Sequence, residues 1–338
     1  MNIVMICYDL ARDEIGGVQN RANRFLQGLI KSKIIKDIII FNLYKTTPCI
    51  LTSCKIKLYN YNSEILLSKS LSRYILSSSI DILYFIDYRH INPVYYDICK
   101  NRPRRVIASV PDIDQYRSKF VLSSTKKIKL EQKLFTRLSS ACIDYLHVSC
   151  DAQRLIANKY FSTDIDYIMS PIGLFKDKYN LYKNNIYSAI VASRNTPFKC
   201  VDNTISVLNS SDLINQIYFI TDNDNLASHL NKQVIISHAN KYEDILKYYK
   251  LAQFNIDLTY IETFANTLVE GGFYGAIPVI SPTNFVTFDL FGGNVIYATE
   301  LDIIKNIDIP RLSKHVFNYS RQKFDILKNT KEILMELK

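Results

Sequence analysis

Short apolar runs and helical stripes take turns along the whole chain, and few architectures accept that order. Runs at 2–8, 37–43, 81–86, 105–110 and 143–148 are rich in Ile, Val and Tyr. They do not alternate cleanly between polar and apolar, as expected of strands covered on both faces. After the first run, Val18, Ala22, Phe25, Leu26, Leu29 and Ile30 fall on one stripe of a 3.6-residue period. Further helices are predicted near 63–79, 117–139 and 150–160. The pattern breaks around Ser170-Pro-Ile-Gly173 and the polar stretch 176–185, then restarts. Strands are predicted at 186–192, 216–221, 233–237, 254–258 and 277–281, with helices near 201–210, 242–252 and 264–274. The stretch 314–338 reads as one helix. Strand, helix, strand is the order of a parallel sheet with helices on both faces. The expected fold class is therefore α/β, as two facing Rossmann-like, doubly wound domains with a cleft between them as the ligand site.

A length of 338 residues suits two domains. No apolar run reaches the roughly 18 residues of a spanning helix. The opening Asn2–Tyr8 is too short for a secretory apolar core and runs into Asp9, Arg12, Asp13 and Glu14. A cytoplasmic protein, soluble or peripheral on a membrane, is expected. Seven scattered cysteines with no CxxC pair read as free thiols in a reducing compartment. The net charge of +10 points to anionic partners, or to the Lys-rich coding of an AT-biased genome. Much of that charge sits in 117–137, where Lys119, Lys126, Lys127, Lys129 and Lys133 interleave with Phe120, Leu130 and Phe135. Such a helix either lies on an anionic membrane surface or packs with a solvated basic face. No nucleic-acid-binding module is recognisable, so nucleic acid is not expected as a partner.

Three places carry candidate chemistry. Gly16-Gly17 closes the first strand and opens the first helix, either as a plain tight turn or as backbone that approaches a phosphate. Arg194 and Lys199 follow the strand near 187–193, either as solvated charges or as a fork and a point charge for a diphosphate. The densest block runs from Glu262 through Glu270 to Pro278. Here Glu262 falls in a strand-to-helix loop and the helix starts near Asn266. The N–H groups of Asn266, Thr267 and Leu268 then favour an anion. Glu270, a turn further on, suits vicinal ribose hydroxyls, and Gly271-Gly272 permits close helix–sheet packing.

With Arg194-x4-Lys199, Glu262-x7-Glu270, Phe264 and Gly275-x-x-Pro278, the chain resembles the GT-B glycosyltransferases of family 4, which are retaining and use nucleotide sugars. The resemblance implies domains at 1–172 for acceptor and 173–318 for nucleotide sugar, with 319–338 a C-terminal helix packing back toward the first. It implies that Gly16, Gly17, Arg194, Lys199, Asn266, Thr267, Leu268 and Glu270 hold the donor and that Glu262 contacts its sugar. The family's Lys-Gly reads Lys199-Cys200 here, and its Pro-Asn-Gly reads Pro171-Ile172-Gly173. Its His-Asp pair reads Ser109-Val110-Pro111-Asp112, which leaves Asp112 or Asp114, with His90 as a substitute, for the catalytic role.

The expected function is transfer of a sugar from a UDP- or GDP-sugar to a glycan acceptor, lipid-linked, in lipopolysaccharide, O-antigen or capsule synthesis. No metal and no other cofactor is expected, since two cations can hold the leaving diphosphate. The alternatives are a non-hydrolysing nucleotide-sugar epimerase and a non-catalytic relative that binds glycan or acts as a scaffold.

Overall fold

The computed structural model describes residues 1–8, 17–43, 55–110, 113, 116, 125–135, 138, 142–161, 164–183, 187–192, 199–221, 224–237, 242–260, 262, 265–302 and 307–337. They divide into two units, Met1–Ile172 with Ile326–Lys338, and Gly173–Asp325.

The first unit is built on β1 (Asn2–Tyr8), β2 (Asp37–Leu43), β3 (Lys55–Tyr61), β4 (Ile82–Phe85), β5 (Arg105–Ser109), β6 (Tyr145–Val148) and β7 (Asp166–Met169). Their order across the parallel sheet is β3-β2-β1-β4-β5-β6-β7, a doubly wound arrangement that reverses direction at β1. Helix α1 (Gly17–Ser32) buries Ala22, Phe25, Leu26 and Leu29 along one stripe. Among the described residues the other helices of this unit are α2 (Glu64–Ser77), α3 (Tyr95–Lys100), α4 (Thr125–Phe135), α5 (Asp151–Ala157) and α11 (Ile326–Glu336). A Cβ on Gly28 of α1 would lie 2.3 Å from Thr330 Oγ1 of α11, so this position must be glycine for the helices to meet. At the return of the chain, Asn329 Nδ2 donates to Pro171 O at 2.6 Å.

The second unit holds β8 (Ser188–Ala192), β9 (Gln216–Ile220), β10 (Gln233–Ser237), β11 (Phe254–Asp257), β12 (Ile277–Ile280) and β13 (Ile296–Tyr297). Its parallel order, β10-β9-β8-β11-β12-β13, reverses at β8. The helices are α6 (Val201–Ser210), α7 (Tyr242–Leu251), α8 (Asn266–Phe273), α9 (Phe285–Leu290) and α10 (Ile309–Lys323). Val191, Ile205, Leu208, Phe219, Ile256, Val279 and Val316 belong to one buried core. Each such side chain taken fully from water stabilises the unit by roughly 1.5–3 kcal/mol.

Three strands escape the apolar-run criterion: β3, β7 and β13. All three are sheet edges. Edge strands tolerate exposed polar side chains, as Lys57 in β3 and Asp166 in β7. The helix expected over 314–338 is two helices, α10 and α11. They break at Phe324-Asp325, where Phe324 is buried and its carbonyl accepts from Leu174 N at 2.8 Å. Tertiary packing sets that break, with no Gly or Pro to announce it. Among the described residues of the basic stretch, Thr125–Phe135 form α4; 117–124 and 136–137 lie outside them. This helix turns Glu131, Leu134 and Phe135 inward and leaves Lys129, Leu130 and Lys133 exposed. Cys7, Cys142, Cys150 and Cys200 are buried, and Cys99 is exposed.

Candidate active site

In the second unit, α6 follows β8 and begins after Cys200, whose backbone is left-handed at φ 52°. That turn sets Lys199 immediately ahead of the helix. Across from it, β11 ends at Asp257, and the chain passes through Thr259, Tyr260 and Glu262 into α8. Lys199 Nζ donates to Glu262 Oε2 at 2.6 Å and to Asp257 Oδ2 at 3.3 Å. Burial alone would lower the pKa of the ammonium. The Asp257 and Glu262 carboxylates outweigh it and hold Lys199 above its ordinary value, hence charged.

Asp257 is 4% exposed. Its Oδ1 accepts from Thr259 N at 3.0 Å and from the Thr259 hydroxyl. Its Oδ2, besides facing Lys199, lies 3.5 Å from Thr267 Oγ1 in the first turn of α8. Sequence reasoning passed over Asp257. A carboxylate closing the strand Phe254–Asp257 was the available sign, because a buried charge needs a partner.

Helix α8 has no side-chain cap, and its first internal bond runs from Val269 N to Ala265 O at 2.9 Å. Asn266, Thr267 and Leu268 thus form the turn whose N–H groups precede the helical ladder, the positive end of the dipole. Glu270 lies one turn on from Asn266 and is buried, 4% exposed. Asn255 Nδ2 of β11 donates to Thr267 O at 2.7 Å. A Cβ on Gly271 would lie 2.1 Å from that same nitrogen, so glycine is what lets α8 sit this close to the sheet.

The other expected site residues fall elsewhere. Gly16, Asp112, Asp114 and Arg194 lie outside the described residues, and Gly17 is the first residue of α1. His90 belongs to the first unit, in the tight helical segment Tyr88–Val94 that follows β4. Beside it, Asp87 is gripped by Arg89 through Nε at 2.9 Å and Nη2 at 2.8 Å. Burial pushes the His90 imidazole below its usual pKa, with Asp87 and Glu64 opposing, so the ring is neutral at pH 7. A cavity of about 300 Å³ in this unit is lined by Cys7, Leu43, Glu64, Arg89, His90 and Glu131. Structure therefore brings Lys199, Glu262 and Asp257 together beside α8, and places His90 in the other unit.

Among the described residues no cluster of three or more His, Cys, Asp or Glu side chains could hold a metal ion. No helix among them is long and apolar enough to cross a membrane.

No protein-family profile matches the chain, and no curated protein does. Solved structures do match. HepE of Anabaena, solved with UDP and glucose, is 13% identical over 100% of this chain and 99% of its own, with a TM-score of 0.70. Sucrose-phosphate synthase of Thermosynechococcus elongatus is 12% identical over 99% of this chain and 97% of its own, with a TM-score of 0.72. The lipopolysaccharide outer core galactosyltransferase WaaB, in its apo form, is 16% identical over 99% of this chain and all of its own, with a TM-score of 0.65. At these identities the likeness is one of fold, and the two doubly wound units are those of the GT-B architecture.

Proposed function

We propose that this chain is a retaining glycosyltransferase that moves a sugar from a UDP- or GDP-sugar to a glycan acceptor. The observation that carries the reading is the Lys199–Glu262 pair beside the start of α8, with Glu270 buried one turn into that helix. A cation and a helix N-terminus suit a diphosphate, while two carboxylates near an anion need hydroxyl donors as ligands, which a sugar and a ribose supply. The structural neighbours solved with UDP, or described as sugar transferases, support the same reading.

In this reading Lys199, Arg194 and the N–H groups of 266–268 stabilise the leaving diphosphate. Glu262 accepts from donor-sugar hydroxyls and Glu270 from the ribose. The acceptor hydroxyl attacks the anomeric carbon on the face from which the diphosphate departs, and a diphosphate oxygen takes its proton. No metal is needed where fixed cations take that charge. The unit Gly173–Asp325 is the donor-binding one, and Met1–Ile172, with Asp112 and His90, serves the acceptor. Lys129, Leu130 and Lys133, exposed on α4, fit a lipid-linked acceptor at an anionic, cytoplasm-facing membrane surface, as in surface-polysaccharide synthesis.

A thermal-shift screen against UDP, GDP, ADP, CMP and dTDP tests the reading. A ligand at 100 times its dissociation constant stabilises the fold by about 2.7 kcal/mol. A shift with UDP or GDP is expected, and the absence of any shift overturns the assignment.

A further inference from the structure

Asp257 has no part in the donor contacts assigned above, yet its carboxylate is buried and aimed at the same ammonium. A purely structural role would be the turn that closes β11: Oδ1 accepts from Thr259 N, two residues on, and from the Thr259 hydroxyl. That turn uses one oxygen. The second oxygen points at Lys199 Nζ and at Thr267 Oγ1 in the first turn of α8, the two places where a phosphate is favoured. One cation shared by two carboxylates leaves the trio of Lys199, Asp257 and Glu262 with a net formal charge of −1.

We propose that Asp257 is a resident anion that competes with the diphosphate for Lys199 and so sets how tightly the site holds a nucleoside diphosphate. The inference rests on the donor-site reading above. Glu262 also competes, but it gives sugar hydroxyls an acceptor in return. Asp257 gives none, so its effect falls on phosphate alone. A site with Lys199 unopposed would hold the departing nucleoside diphosphate, more highly charged than the donor, most tightly of all. Asp257 offsets that and favours release.

Asp257→Asn separates charge from structure, because asparagine closes the same turn with Oδ1. Titration calorimetry of the full chain with UDP and with GDP, and with UMP as control, reads the outcome. Removing a unit charge this close to the anion site should tighten diphosphate binding by about fivefold or more, with a smaller gain for UMP. In a Lys199→Met background the gain should shrink, since the competition acts through the ammonium. If Asp257→Asn does not fold, Asp257→Ser removes the same charge and is judged by the same criteria. Unchanged or weaker diphosphate binding in the folded variant, or a gain that is undiminished without Lys199, overturns the proposal while leaving the donor site standing. A wild-type protein that binds neither UDP nor GDP overturns both.

Discussion

Glu262 Oε2 lies 2.6 Å from Lys199 Nζ, joining the loop before α8 to the turn before α6, 63 residues apart in sequence. If Glu262 also receives sugar hydroxyls, Glu262→Gln should cost a charge-assisted hydrogen bond, roughly 1.5–3 kcal/mol, and weaken binding of the sugar nucleotide about tenfold or more. Free diphosphate should be held at least as tightly as before. Parallel titrations with the sugar nucleotide and the bare diphosphate check this, and equal losses for both would remove Glu262 from the sugar.

Glu270→Ala should weaken every ribonucleotide by a similar factor, because in the proposed donor site the lost acceptor serves the ribose. A 2′,3′-dideoxy nucleotide should bind the wild type and the variant alike. Fluorescence competition with the two nucleotides separates this from a loss of folding, and an Ala variant of full affinity would end the ribose assignment.

Cys200 occupies left-handed backbone at φ 52°, which costs an L side chain about 1–2 kcal/mol. Cys200→Gly relieves that cost and gives up a small buried side chain, so its stability should stay within about 1 kcal/mol of wild type. Cys200→Val adds a β-branched side chain to the same backbone and should lose about 2 kcal/mol. Urea midpoints at constant slope give the order, and a valine variant as stable as wild type would contradict the left-handed turn.

His147 is fully buried, with Tyr84 Oη donating to its Nδ1 at 2.6 Å while its own Nε2–H donates to Ser170 O at 2.6 Å. Burial, then the nearby Arg21 charge, lowers its pKa from 6.5 to about 3. The folded state thus refuses a proton that the unfolded chain takes. The stability linked to this residue is complete above pH 6.5 and falls as pH drops from there toward 3, by about 1.4 kcal/mol per pH unit. His147→Gln should flatten the stability curve between pH 6.5 and 5 relative to wild type. Parallel curves would show that the ring does not stay neutral.

The sheet centres were legible because their strands are continuous apolar runs buried on both faces. Strands β3, β7 and β13 were not, since at these edges the sequence is mixed, whereas the edge strand β10 keeps the apolar run Val234-Ile-Ile236 and was legible. Part of the candidate site was legible: position at strand ends and spacing singled out Lys199 and Glu262, which lie in contact, and the start of α8. Asp257 was not, because one acidic residue at a strand end carries no spacing, and its charged partner Lys199 comes from 58 residues away. The Phe324-Asp325 break was equally silent, being set by the pairing of Phe324 with Leu174.

The first unit includes α11, which lies beyond the second in sequence. Helix α11 buries Ile326, Ile333 and Leu334 and seats Thr330 against Gly28 of α1. As the chain leaves the ribosome, residues 1–172 emerge before α11 with that face of α1 still bare, and they wait while 173–325 are made. Residues 173–325 have their whole unit in hand first, and the unit of 1–172 closes only when 326–337 arrive.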